Sequence, residues 1–382
     1  MALAWIAADA LTGRVLADLP TLDADWPLRR QIGAYATGTA HLHLDGAPPN
    51  WRRAVKAGAA VLHCYDDTDP ALAPQWSGLV TSSEASSASD VVDLSLVTAE
   101  GYFDRRYVGD RSYVQVGQNA IVADLARRFG GPDAAAPFVG LPLSVQYTTP
   151  GDGTPRDRTY LDADDTTLYA RLQQLAAVLG GPEWVVEWAW SSDGLSILPV
   201  LMVGDRVGEA APAGLLPAAA FELPGCITEA RIVDDYSAGK GATVVQAVSS
   251  GQGDVRPTSG PVYDAGPQDR PAYEHRWTPS TSITNVGTLQ DYARAALAIL
   301  APGAQAITLT AALEDAPRLG TDWRLGNDVQ YVLDETDGDG RPILAFPGGA
   351  AGVGRAIAYE LNAATITPIL AASEVYTESD AA

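Results

Sequence analysis

Short runs of alternating polar and apolar residues, each stopped by a turn cluster, restrict the fold of this sequence more than any other feature. Thr39, His41, His43 and Asp45 fall on one face of an extended segment and Ala40, Leu42 and Leu44 on the other, which is the period of a strand buried on one side. Further runs at 59–65, Trp76–Val80 and Val91–Val97 are separated by the polar segments 66–70 and Ser82–Asp90. The 37 glycines and 26 prolines are spread along the whole chain, so they serve many turns rather than one flexible linker. Strands this short and closely spaced predict a small barrel or sandwich over residues 1–110.

The period then changes. Ile121, Val122, Leu125 and Phe129 follow helical spacing before Gly130-Gly131-Pro132 stops the run. A second helix carries Leu168, Leu172, Leu175 and Leu179 on one face, with the acids at 162, 164 and 165 where a helix N-terminus favours negative charge. Glu183–Trp190 alternates, turns at Ser191–Gly194 and returns through Leu195–Val200, the signature of a hairpin. Strand character resumes at Ile227–Val233 and Ala242–Val248, and the stretch 251–279 reads as an inserted loop. Thr288 with Asp291 resembles a capping box for a third helix whose stripe is Leu289, Tyr292, Ala293, Ala296, Leu297 and Leu300. Strands return at 306–310, 328–333 and 355–361, and a polar tail follows. The expected class is therefore β-rich α+β.

A chain of 382 residues exceeds what one core usually organises, and two to four domains are expected. With 47% hydrophobic and 19% charged residues, every part of it has the composition of a folded protein. The formal net charge of -22 repels phosphates, which argues against tight binding to nucleic acid. Cys64 and Cys226 suit a reducing compartment as buried thiols, although spacing alone leaves one disulfide open. Met1–Ile6 has no basic flank and Asp9 interrupts it, so no secretion signal is expected. The apolar run Ala210–Phe221 carries Pro212, Gly214 and Pro217 and is too short to span a bilayer as a helix. A protein made in a cytoplasm without a membrane segment follows.

Three constellations invite a chemical reading. Glu183 and Glu187 among Trp184, Trp188 and Trp190 supply the acids and aromatics of a glycosidase, but alternation puts the tryptophans on a buried face and the glutamates toward solvent. Glu335, Asp337, Asp339 and Gly340 occupy positions one, three, five and six of a calcium loop, yet position twelve is Phe346 instead of a bidentate glutamate. An acidic turn between strands explains that run better. His41, His43 and His63 would share a metal only across neighbouring strands, and no further ligand completes the set. No nucleophile elbow, zinc-protease helix or phosphate loop is present, so no catalytic, cofactor or metal residues are assigned and no enzyme is expected.

The segment Gln75-Trp76-Ser77-Gly78-Leu79-Val80, followed by Leu96-Val97-Thr98-Ala99-Glu100-Gly101-Tyr102-Phe103-Asp104-Arg105-Arg106-Tyr107-Val108, resembles the minor tail proteins of siphophages infecting actinobacteria. The order of later features is similar as well: Gly-Gly-Pro-Glu-Trp at 180–184, Ile-Thr-Glu-Ala-Arg at 227–231, Leu-Gly-Asn-Asp-Val at 325–329 and Ile-Thr-Pro-Ile-Leu at 366–370. The resemblance implies a tail hub of two small β-barrels per subunit, three copies forming a ring of pseudo-sixfold symmetry. Residues 1–110 would be the first barrel and 111–225 an α/β insertion. Residues 226–250 with 305–370 would form the second barrel, interrupted by a loop-helix insertion at 251–304 and followed by the tail 371–382. The implied partners are other copies in a homotrimer, the distal tail protein, the tape-measure protein and tail-tip proteins, at the tail tip of a virion assembled in the host cytoplasm. Phage DNA would pass through without tight binding. A tail-tip carbohydrate-binding or cell-wall-degrading protein is the rival from another class, and a contractile injection device or gene transfer particle would share the hub fold.

Overall fold

Alternating residues can bury one face only when their backbones pair, and the pairing builds the architecture. The structure, a computed structural model, describes residues 3–69, 72–135, 137–178, 180–212, 214–249, 256–265, 270–279 and 285–376. The chain divides into two units, residues 1–230 with 308–382, and residues 231–307.

The first sheet orders its strands Val15–Asp18, Leu3–Asp9, Ala60–Asp66, Trp76–Ala85, Val91–Val97, Thr37–His43 and Leu22–Ala24, all antiparallel. Ala40 and Leu42 are fully buried while Thr39 and His43 are exposed, as their parity requires. The strand from Trp76 runs on to Ala85, five residues past its expected end, with a bulge between Val80 and Ser82. Thr81–Ala85 are all exposed, so no burial pattern marks them; pairing with Val91–Val97 alone keeps them extended.

A second large sheet orders Ala220–Leu223, Asp328–Leu333, Ala350–Leu361, Thr365–Tyr376, Ala304–Ala312 and Ile227–Asp235. The short strand Leu28–Gln31 joins it from the N-terminal part of the chain, pairing Leu28 with Leu361 and Gln31 with Ala358. Both large sheets are open ladders.

Between these segments in sequence, Glu183–Trp190 and Ile197–Gly204 pair in full register, and Ser144–Tyr147 adds in parallel. Helix Gln118–Leu125, continued by a wider turn over Ala126–Gly130, and helix Leu168–Ala176 supply Ile121, Val122, Leu125, Leu168, Leu172 and Leu175 to the core beside Trp184 and Phe103. Each such leucine contributes roughly 1.5–3 kcal/mol by leaving water. Leu179, expected on the same face, lies outside the described residues.

Two expected caps are displaced. Asp162–Asp164 form a separate 3-10 turn ended by Asp165 in the left-handed region, at φ 47°, and Thr167 caps the helix by accepting the Ala170 N–H at 3.2 Å. Asp164 pairs instead with Arg171 at 2.5 Å.

In the unit 231–307, Val244–Ala247 pairs with Val262–Tyr263 and Glu274–Trp277. Helix Val286–Leu300 packs Leu289, Ala293 and Leu297 against Ala242, Val245 and Ala247. Asn285, not Thr288, caps it, because its side chain accepts the Thr288 N–H at 3.2 Å. Asp291 faces Arg294 at 3.1 Å and takes no part in the cap.

Candidate functional site

Burying a polar residue is costly unless it is hydrogen-bonded, and in the larger unit several inward polar side chains bond to one another at the joint between its sheets. Leu28 and Arg30 share one face of a four-residue strand, so Arg30 is buried with Leu28. Its guanidinium donates to the Val186 carbonyl at 2.7 Å and lies 3.5 Å from Glu100 and 3.6 Å from Glu187. Glu100, fully buried in the short helix after Val91–Val97, accepts the Val186 N–H at 2.9 Å. Both backbone groups of Val186, on the outer edge of the Glu183–Trp190 strand, are thus capped by one ion pair.

Burial opposes the charge on Arg30, but Glu187 and Glu100 outweigh it and raise the guanidinium pKa. Desolvation pushes the Glu187 carboxyl upward against the pull of Arg30, although 37% of its side-chain area stays accessible. Glu183 is gripped by Arg355, whose Nη1 donates at 2.7 Å and whose Nη2 makes a second bond, the bidentate geometry of the strongest ion pairs. The glutamates expected to face solvent therefore lean on arginines distant in sequence, Glu183 on Arg355 and Glu187 on Arg30. Trp184 and Trp188 are buried and Trp190 partly so.

The Gln75–Gly78 segment forms the other half of the joint. Gln75 donates to the Leu319 carbonyl at 3.0 Å, and its own carbonyl accepts from the Tyr359 hydroxyl at 2.5 Å. Trp76, buried edge-on against Trp5, donates its indole N–H to Arg29 at 3.0 Å. Gly78 makes room for it: a Cβ there would sit 2.5 Å from the Trp76 ring.

The histidines do not converge, because two strands separate Thr37–His43 from Ala60–Asp66. His41 bridges Asp93 at 2.7 Å and Asp25 at 3.3 Å, and the Asp93 hydrogen bond holds its pKa above the ordinary imidazole value. His63 is fully buried, bonded through Nδ1 to the Ser77 hydroxyl at 2.8 Å and set edge-on to Trp188. Burial pulls it down to about 3. A histidine whose folded pKa lies below its unfolded value keeps its full stabilising effect above about pH 6.5 and loses it as pH falls toward the folded value, by about 1.4 kcal/mol per unit. We expect His63→Gln to flatten the decline of stability between pH 6 and 4 relative to the parent; parallel declines would contradict this.

In the acidic turn, the Asp337 carboxylate accepts the Asp339 N–H at 2.9 Å and the Arg341 N–H at 2.8 Å. Its work is to shape the turn. Cys64 and Cys226 are buried free thiols, and burial raises both pKa values. Among the described residues, no helix is long and apolar enough to cross a membrane. Sequence reasoning missed Arg30 and Glu100; the shared parity of Leu28 and Arg30 was the available signal.

The fold as a whole is similar to that of solved phage tail proteins. The tail protein from Neisseria meningitidis MC58 matches over 99% of this chain and 99% of its own, with a TM-score of 0.59 and 14% identity. The 43 kDa tail protein of prophage MuSo2 from Shewanella oneidensis matches over 97% and 98%, with a TM-score of 0.56 and 12% identity. The prophage tail protein gp18 from Listeria monocytogenes EGD-e matches over 99% and 96%, with a TM-score of 0.51 and 10% identity. No family model matches the chain, and no curated protein matches it in sequence. At these identities the likeness is one of fold.

Proposed function

We propose that this chain is a non-enzymatic structural subunit of a phage tail, a hub at the distal end that forms a trimeric ring around the DNA channel. In this role it joins the distal tail protein and tape measure to the tip. The observation that carries the reading is a fold likeness to a tail protein running over 99% of both chains. The commitment of Glu183 and Glu187 to Arg355 and Arg30 supports it, because a glycosidase needs its carboxylates free at the substrate.

The two seven-stranded sheets are the proposed counterparts of the two hub barrels, with 111–225 and 251–304 as the insertions. The net charge of -22 suits a ring through which DNA slides without adhering. An actinobacterial siphophage as its source rests on the Gln75–Val108 resemblance.

The test is the mass of the purified full chain by light scattering across a range of concentrations. A hub gives three times the 40.0 kDa of one chain. A monomer at every concentration would reject the ring.

A further inference from the structure

An ionised carboxylate only accepts hydrogen bonds and a neutral imidazole donates only one, so an imidazole set between two carboxylates satisfies both only when it is protonated. His41 is set in this way. Its Nδ1 lies 2.7 Å from an oxygen of Asp93, and its Nε2 lies 3.3 and 3.4 Å from the two oxygens of Asp25. Asp25 accepts from the Thr39 hydroxyl as well, and that bond, with the charge of His41, holds its carboxyl below the usual carboxylate range.

The strands on either side of His41 add acids. Asp23 on Leu22–Ala24 and Asp93 on Val91–Val97 stand opposite it, and Glu84 stands opposite Asp93 one strand further on. Residues paired in this way share a face, so Asp23, His41, Asp93 and Glu84 form one line across four strands in which only His41 takes a positive charge. Along its own strand the nearest residues of that face are Thr39 and His43. Arg105 borders the cleft that Asp25 also lines, but the bonds of Asp25 go to Thr39 and His41.

Asp25 stands where the chain changes sheets. The edge strand Leu22–Ala24 of the first large sheet ends just before it, and Leu28–Gln31, which pairs in the second, begins three residues after it. The Asp25 N–H donates to the Thr39 carbonyl at 3.0 Å and continues the edge pairing. A strand of three residues has few backbone bonds, so a side-chain tie at its end bears directly on how often the segment opens.

We propose that His41 is a proton-operated clasp on this crossover: charged, it ties Asp25 to Asp93 across the first sheet, and neutral, it keeps one carboxylate and releases the other. The one kept is Asp93, at the shorter distance. Asp23, Asp25, Asp93 and Glu84 then repel one another with no positive charge in their line, and the segment 25–27 opens more often. The Asp93 hydrogen bond, supported by Asp25, holds the imidazole pKa above its ordinary value. The clasp is therefore complete below about pH 6.5 and is lost as pH rises through the folded value. His63 responds in the opposite direction, so a local measurement is needed to separate the two.

Amide exchange of the stretch 22–28 in the full chain, read by mass spectrometry as the rate in His41→Gln over the rate in the parent at equal pH, cancels the intrinsic pH dependence of exchange. The expected ratio at about pH 5.5 exceeds one, by up to about tenfold for each unit that His41 titrates above the ordinary imidazole value, and it returns to one at about pH 8.5. Asp25→Asn supplies an amide able to donate to a neutral Nε2. Its exchange should be faster than the parent's at about pH 5.5 and slower at about pH 8.5, a reversal that loss of a purely structural contact would not give. A His41→Gln ratio that is the same at both pH values, or an Asp25→Asn effect of one sign throughout, would overturn the clasp.

Discussion

Replacing Arg30 by methionine will destabilise the larger unit by about 3–5 kcal/mol, the range found when one partner of a buried ion pair is removed. The size follows from what remains. Glu100 is fully buried, and without Arg30 its nearest compensating charge is gone, while the Val186 carbonyl loses its donor. The cost is chiefly that of an uncompensated buried carboxylate, so a second change separates charge from shape. Glu100→Gln added to Arg30→Met removes that carboxylate and will recover part of the loss, giving a denaturation midpoint above that of Arg30→Met alone. Equal midpoints for the single and double variants would show that packing, and not charge, holds this joint.

Trp76→Ala will cost about 3–5 kcal/mol, as expected for deleting a large aromatic side chain from a core. The ring is fully buried, leans on Trp5 and donates to Arg29, so its loss opens a cavity at the place where Leu28–Gln31 crosses to the second large sheet. Gly78 lies so close to the ring that a Cβ there would stand 2.5 Å from it, and a residue without a side chain cannot fill the void. Chemical denaturation followed by far-ultraviolet circular dichroism measures the change; a loss below about 1 kcal/mol would mean the site collapses around the deletion. Trp76 and Arg30 meet through Arg29 and Leu28, so combining the two variants should give less than the sum of their separate effects.

What the sequence revealed was whatever local periodicity encodes. Val91–Val97 appears where alternation put it, and Trp184 and Trp188 are buried as their parity demands. The leucines at 168, 172 and 175 form the expected buried stripe. Helix starts were less legible because neighbouring residues competed for one role: Thr167 and Asn285 took the caps expected of the 162–165 acids and Thr288. The joint was least legible of all. Arg30 meets Glu100 across 70 positions and Val186 across 156, and no short window of sequence contains both members of such a pair. The Gln75–Gly78 segment stood out as a family resemblance before its purpose was visible, and its four residues prove to be contacts and clearance at one junction.

The proposed role as a tail structural subunit makes a prediction about location. The most direct test is where it resides. Antibody raised against the purified chain, applied to intact phage particles and viewed by negative-stain electron microscopy, should mark the distal end of the tail in every labelled particle. Particles that lack the chain altogether, or that carry label on the capsid, would contradict a tail structural role.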